Sequence, residues 1–356
     1  MEDRPNPPLT AGFFHLNFLD KLYPGGTAKQ IEHDYPSLFG YIKPTWELQD
    51  VPFGTSRWES LNLEDVFTSL AIENEFLPKE SDIRARRQLA LNELTRYIQR
   101  IIGLCTFRRS GKFSKLLVEK VKLNDSIITF NYDLLLDREL FKKRSELYQT
   151  FHVRITGQSL FPGDSPWYGP GTFLKMHGSL NWYVCTNELC GGGADLTVVG
   201  AGRNGFDERN FERCLVNVSG IGDLPRCFTC GSPSAVFLIP PLLNKPIMKN
   251  SITRAIWGQA FAHLASASNV VILGFSFAPT DFYAQWLFRS ALRNNPDGKV
   301  SAKVWIINPG NDPSHSGHGD FKRRMQTIFG SHYEDKYRRF EEVEEILEIL
   351  YADKGA

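Results

Sequence analysis

Four cysteines and one histidine are the residues of this sequence best spaced for chemistry. Cys185, Cys190, Cys227 and Cys230 make up four of its six cysteines, arranged as C-x4-C and C-x2-C around a long Gly-rich insert. In a reducing compartment such spacing points to a metal before a disulfide. Four thiolates complete a tetrahedral zinc site and leave no open position, so the metal would be structural. The x4 half is looser than a standard knuckle; unliganded thiols are the alternative, and Cys214 could substitute for one ligand. His177 stands in a different setting. Thr172 to Met176 is mostly apolar and β-compatible, and it breaks at His177-Gly178-Ser179. A histidine ending a buried strand, before a glycine that admits another backbone or a ligand, is how a parallel α/β sheet presents a base to a cleft. A core histidine at a turn is the plainer reading.

Three other strand ends resemble it. Ser126–Phe130 runs into Asn131-Tyr132-Asp133, Asn269–Leu273 into Gly274-Phe-Ser276, and Ala302–Ile307 into Asn308-Pro309-Gly310. Asn, Asp, Ser and Gly are all turn formers, so Asp133 could merely cap a helix from Leu134, and Asn308 could merely turn the chain before Pro309. Gathered on one edge, the four ends would form a polar crevice with a base, an amide, a carboxylate and exposed backbone N–H groups. That is the chemistry of a nucleotide site, which open α/β sheets place outside the carboxyl ends of their strands.

The elements that must position these residues are legible in outline. Residues 11–121 read as a helical block: Ala11–Tyr23, Ser60–Phe76 with Ser60 as cap, Ser81–Cys105 and Phe113–Val121. Residues 27–56 read as irregular, with weak strand potential at Tyr41-Ile42. Arg84, Arg86, Arg87, Arg96 and Arg100 read as the solvated face of a helix rather than an anion site. Beyond residue 126, strands alternate with the helices Leu134–Lys143, Thr253–Ala267 and Asp281–Asn294. That alternation predicts an α/β fold with a Rossmann-like, doubly wound parallel sheet. The expected organisation is one domain, 1–356, with its core in 126–182 and 236–310. The core would include further strands at His152–Thr156 and Val236–Ile239. A cysteine insert, 183–235, and a C-terminal helical segment, 311–356 with a helix at Phe340–Tyr351, complete it.

Composition narrows the setting. With 42% apolar and 23% charged residues, a sizeable core is available. A net charge of +1 gives no basic surplus for nucleic acid. No apolar signal core opens the chain and no run approaches a membrane span, so the expected location is the cytoplasm.

In order and kind, these segments resemble the sirtuin superfamily, and more closely the sirtuin-like NAD-cleaving domains of bacterial antiviral defence. The matching segments are Thr129-Phe-Asn-Tyr-Asp133, His177-Gly178, the paired cysteines, Gly274-Phe-Ser276 and Ile307-Asn308. They cover about residues 126–310. The resemblance implies that NAD is bound as substrate. It implies His177 as the base, with Asn131 orienting the ribose or the attacking water. Thr129 and Gly178 belong to the matching cofactor-binding segments. Asp133 would hold the carboxamide, Gly274 and Ser276 would face the phosphates, and Asn308 the adenosine ribose. It implies a zinc-ribbon-like module on Cys185, Cys190, Cys227 and Cys230.

The sequence also departs from that family. Phe130 replaces a ribose-contacting glutamine, and Phe237-Leu-Ile-Pro-Pro-Leu-Leu-Asn-Lys245 replaces the Phe-Gly-Glu segment of deacylases. No opening strand with a Gly-Ala-Gly phosphate loop precedes Pro7-Pro-Leu-Thr-Ala-Gly-Phe-Phe14. By resemblance that strand would lie between those ending at Asn131 and Asn308, so the expectation is a chain that starts after it and is weakly active or inactive alone. Three functions stay open: NAD cleavage to nicotinamide and ADP-ribose, as a defence effector; NAD-dependent lysine deacylation; and non-catalytic binding of a nucleotide or a partner. An activating partner and homo-oligomerisation are left open as well.

Overall fold

The computed structural model of the chain describes residues 6–7, 12–22, 28–53, 55–107, 109, 111–122, 124–143, 153–155, 158–159, 173–187, 189–190, 196–198, 201–202, 205–206, 225–227, 229–239, 251–279, 281–294, 302–333, 336 and 339–352. Its first part is helical: α1 (Leu16–Leu22), α2 (Ala28–Asp34), α3 (Pro36–Thr45), α4 (Ser56–Glu59), α5 (Leu63–Phe76), α6 (Asp82–Thr106) and α7 (Lys112–Lys120). The Ser81 side chain caps α6 by accepting from the Arg84 N–H, a contact worth about 1 kcal/mol. The cap of α5 is Asn62, which accepts from Glu64 N–H, and the expected cap, Ser60, instead closes the short α4. Residues 28–45, expected to be irregular, form α2 and α3. Pro36 suits the first turn of α3, where no N–H is needed, and Leu38, Phe39, Tyr41 and Ile42 are buried in the block's core beside Trp58, Leu94 and Tyr97. Packing there outweighs weak propensity. Two arginines expected on a solvated face, Arg87 and Arg100, are half-buried ion-pair partners of Glu73 and Asp34.

The strands are β1 (Ile127–Thr129), β2 (Val153–Ile155), β3 (Gln158–Ser159), β4 (Phe173–Lys175), β5 (Gly178–Cys185), β6 (Leu196–Val198), β7 (Ala201–Gly202), β8 (Gly205–Phe206), β9 (Ser234–Leu238), β10 (Asn269–Leu273) and β11 (Lys303–Ile307). Helices α8 (Leu135–Lys143), α9 (Ser251–Ser266), α10 (Phe282–Arg293), α11 (His318–Phe329) and α12 (Val343–Ala352) alternate with them or follow. The fold is therefore mixed α/β with short parallel ladders. β1 pairs with β4, and β10 with β11, both in parallel. Alternate residues of β10 and β11 point to opposite faces, as a strand requires. Val270, Ile272, Val304 and Ile306 pack with Trp257, Leu287 and Met325 from α9, α10 and α11. Val271, Leu273, Trp305 and Ile307 pack with Leu117 of α7 and with Val343, Ile346 and Leu347 of α12. Burial on both faces is why these two strands read as nearly continuous apolar runs.

The two parallel pairs are separate ladders. They meet at their carboxyl ends, where the Phe130 and Phe275 rings stack with centroids 4.4 Å apart. β11 carries β10 on one edge and a bridge to Tyr333 through Val304. The end lying opposite β1 is therefore that of β10, which corrects the expectation that the strands ending at Asn131 and Asn308 flank a common place.

A second, mixed sheet has the order β3-β2-β6-β5-β9. Residues 178–185, read from sequence as a turn, the end of the first core segment and the start of the insert, are its longest strand. The Val236–Ile239 strand, expected in the parallel core, lies antiparallel to β5 as part of β9. Gly178 makes that approach feasible. Its φ is +80°, and a Cβ built there would lie 2.1 Å from the Phe237 carbonyl oxygen. β7 and β8 form a separate antiparallel pair. Among the described residues no helix is long and apolar enough to cross a membrane.

Candidate functional site

The four cysteines come together. Cys185 ends β5, opposite Ser234 at the start of β9. Two tight turns follow from these strands. In the first, Asn187 N–H donates to Cys185 Sγ (3.4 Å) and Cys190 N–H to the Asn187 carbonyl (3.0 Å). In the second, Cys227 N–H donates to Ser232 O and Gly231 N–H to Cys227 O, both at 2.8 Å, with Gly231 at φ +70°. The sulfurs of Cys185 and Cys230 are 3.5 Å apart, those of Cys190 and Cys227 3.6 Å, and all four lie within 4.8 Å of one another. A tetrahedral Zn–S distance of about 2.3 Å requires sulfurs about 3.8 Å apart, so the set fits such an ion without rearrangement of the turns. Burial pushes the Cys185 thiol up to about 12, whereas hydrogen bonds from Ser232 hold Cys230 down to about 6. Cys105 is buried in α6, within the helical core. Cys214, the alternative ligand, lies outside the described residues.

The four polar strand ends also come together. Met176 N–H donates to Thr129 O (2.9 Å), tying the end of β4 to that of β1. The Phe130–Phe275 stack joins β1 to β10, and Gly274 N–H donates to Ile307 O (2.9 Å), joining β10 to β11. His177, Asn131, Asp133, Gly274, Ser276 and Asn308 thus stand along one edge. His177 is 7% exposed. The Phe130 ring meets it edge-on with centroids 5.2 Å apart, and the Tyr132 ring lies tilted at 6.0 Å. Its carbonyl accepts from Ile239 N–H (2.8 Å), and the Ile239 carbonyl accepts from the Tyr132 hydroxyl (2.6 Å). Burial raises the Tyr132 phenol above its ordinary range, and the carboxylates of Asp281 and Glu64 add to this.

Several candidates carry structural duties there. Thr129 Oγ1 accepts from the N–H of Asn131, which is itself exposed. Asp133 Oδ1 accepts from Leu135 N–H (2.9 Å), so it does cap α8. Asn308 Oδ1 accepts from Gly310 N–H (2.8 Å), the turn-forming role its position before Pro309 allowed. Gly178 faces the backbone of β9. Gly274, at φ +69°, lies beneath the Phe340 ring, and the exposed Ser276 accepts through its carbonyl from Arg324 Nε (3.1 Å).

Sequence reasoning did not single out Lys175. It is 1% exposed, and its ammonium donates to Asp137 Oδ2 (2.8 Å) and to the Asp133 carbonyl (2.5 Å). Its signal was a lone charge inside the apolar run from Thr172 to Met176. The chain matches no family model and no curated protein.

Proposed function

We propose that this chain is a sirtuin-like domain of Rossmann-like organisation that binds NAD along the shared strand edge and cleaves it to nicotinamide and ADP-ribose. The observation carrying this reading is the row of contacts that puts His177, Asn131, Asp133, Gly274, Ser276 and Asn308 on one edge. Departure of nicotinamide passes through an oxocarbenium-like state, as in glycoside cleavage. Such a reaction needs a base for a ribose hydroxyl or for water, and His177 is the imidazole on that edge. Asn131 is exposed at the end of β1 and would orient the ribose or the water. Asp133 would hold the carboxamide through the oxygen its cap leaves over. The Gly274–Ser276 turn would face the phosphates, and Asn308 the adenosine ribose. Zinc on the four cysteines would fix the two turns and take no part in the reaction. The cytoplasm and a role in antiviral defence belong to the same proposal; the defence role rests on the resemblance alone.

One observation favours a second reading, nucleotide or partner binding without turnover. Phe130 and Phe275 stack between the strand ends, and the buried His177 has the edge of the Phe130 ring against it. Incubating the purified protein with NAD tests both readings. Released nicotinamide supports cleavage, and bound NAD without nicotinamide supports the second. Nicotinamide released only when an acyl-lysine peptide is added would instead identify a deacylase.

A further inference from the structure

A lysine with 1% of its surface exposed needs a reason, because burying an ammonium is costly unless it is paired and hydrogen-bonded. Lys175 has that compensation. Asp137, fully buried in the first turn of α8, supplies the opposite charge at 2.8 Å. The carbonyls of Asp133 (2.5 Å) and Tyr132 (3.5 Å) accept from the same ammonium. Those carbonyls belong to the turn that carries Asn131 and Asp133.

The turn is connected onward to the histidine. Leu180 N–H donates to the Tyr132 carbonyl (3.1 Å), the Tyr132 hydroxyl donates to the Ile239 carbonyl, and Ile239 N–H donates to the His177 carbonyl. A closed circuit runs from Lys175 through Tyr132 and Ile239 to His177, two residues along the chain from where it began. An apolar side chain at 175 would fill the same volume yet leave two carbonyls without this donor. We propose that Lys175 is a positioning residue, whose buried ammonium fixes the 131–133 turn against His177. The proposal rests on the reading that this turn and His177 form one site. Lys175 itself touches no reacting atom.

The test uses the full chain with Lys175→Met and with Lys175→Met/Asp137→Leu. The double variant leaves no uncompensated carboxylate behind, so it keeps its fold if the single variant does not. Hydrogen exchange over residues 129–137 is expected to quicken about tenfold in both, as befits the loss of a charge-assisted hydrogen bond. The His177 imidazole resonances are expected to move. The kcat for nicotinamide release is expected to fall about 10²-fold, with KM held within about threefold. Unchanged exchange in the double variant overturns the proposal, as does quickened exchange with unchanged kcat. If the wild-type chain releases no nicotinamide, the NAD-cleavage reading is what fails. Lys175 is then decided by exchange together with the His177 resonances: movement in both supports it, and stillness in either overturns it.

Discussion

Zinc binding is the prediction with the firmest geometry behind it. The perturbation is removal of the ion, by chelation or by Cys227→Ser. The four sulfurs already lie within 4.8 Å of one another, with pairs at 3.5 and 3.6 Å against an ideal edge of about 3.8 Å. Binding therefore needs little reorganisation and acts on the folded state. Zinc at a thousandfold excess over its Kd would contribute about 4 kcal/mol of stability. With about 2.1 cal/mol/K of unfolding entropy per residue, a chain of 356 residues shifts by roughly 1.3 °C per kcal/mol, so chelation should lower Tm by roughly 5 °C. The loss should begin where the β5–β9 ladder ends, at Cys185 opposite Ser234. Elemental analysis should find about one zinc per chain in protein purified without chelator. Cys227→Ser should lose the metal, whereas Cys105→Ser, in the core of the helical block, should keep it. Acid should weaken binding, because zinc competes with protons for the thiolates. Zinc-free protein, or a Tm indifferent to chelation, would refute the reasoning.

Three further outcomes are expected. If the chain cleaves NAD, His177→Ala should lower turnover by about 10²–10⁴-fold with the fold retained, and Asn131→Ala should also be severely impaired; unchanged turnover in His177→Ala would remove the histidine from the mechanism. Gly178→Ala would put a Cβ 2.1 Å from Phe237 O at φ +80°, costing about 3 kcal/mol; an unchanged melting curve would show that β9 yields without strain. Burial pushes the Tyr35 phenol up to about 12 from 10.0. Its stabilising contribution is complete below pH 10 and lost as pH rises towards 12, about 3 kcal/mol in all. Denaturant melts at pH 9 and 11.5 should show that loss in the wild type and less of it in Tyr35→Phe.

Much of the fold was legible because local and tertiary signals agreed. Ser81 marks the start of a helix whose apolar stripe is buried, and the structure begins α6 one residue later. Val270–Leu273 is apolar because helices cover both of its faces. Residues 28–45 were misread because the local signals conflicted. Pro36, Gly40 and Pro44 argue against a helix, while Ile31, Tyr35, Leu38, Phe39 and Ile42 keep a helical period and are buried together. Strand β5 was missed for another reason. His177-Gly178-Ser179 reads as a stop, and only the partner β9 makes the residues after it a strand.

The site was legible as types and order, and less so as contacts. Turn formers at strand ends can be read one strand at a time, and the cysteine spacing carries its own geometry. What lies between the ends depends on residues far apart in sequence. Phe130 is unremarkable as a strand residue. Its meaning comes from Phe275, 4.4 Å away, and from the edge of its ring against His177. If the strand edge takes NAD, this stack is what the ribose must pass or displace. Substituting Phe130 with a smaller apolar residue would then open the edge and leave Lys175 and the 131–133 turn in place. The same substitution at an edge that never binds nucleotide would cost only core packing.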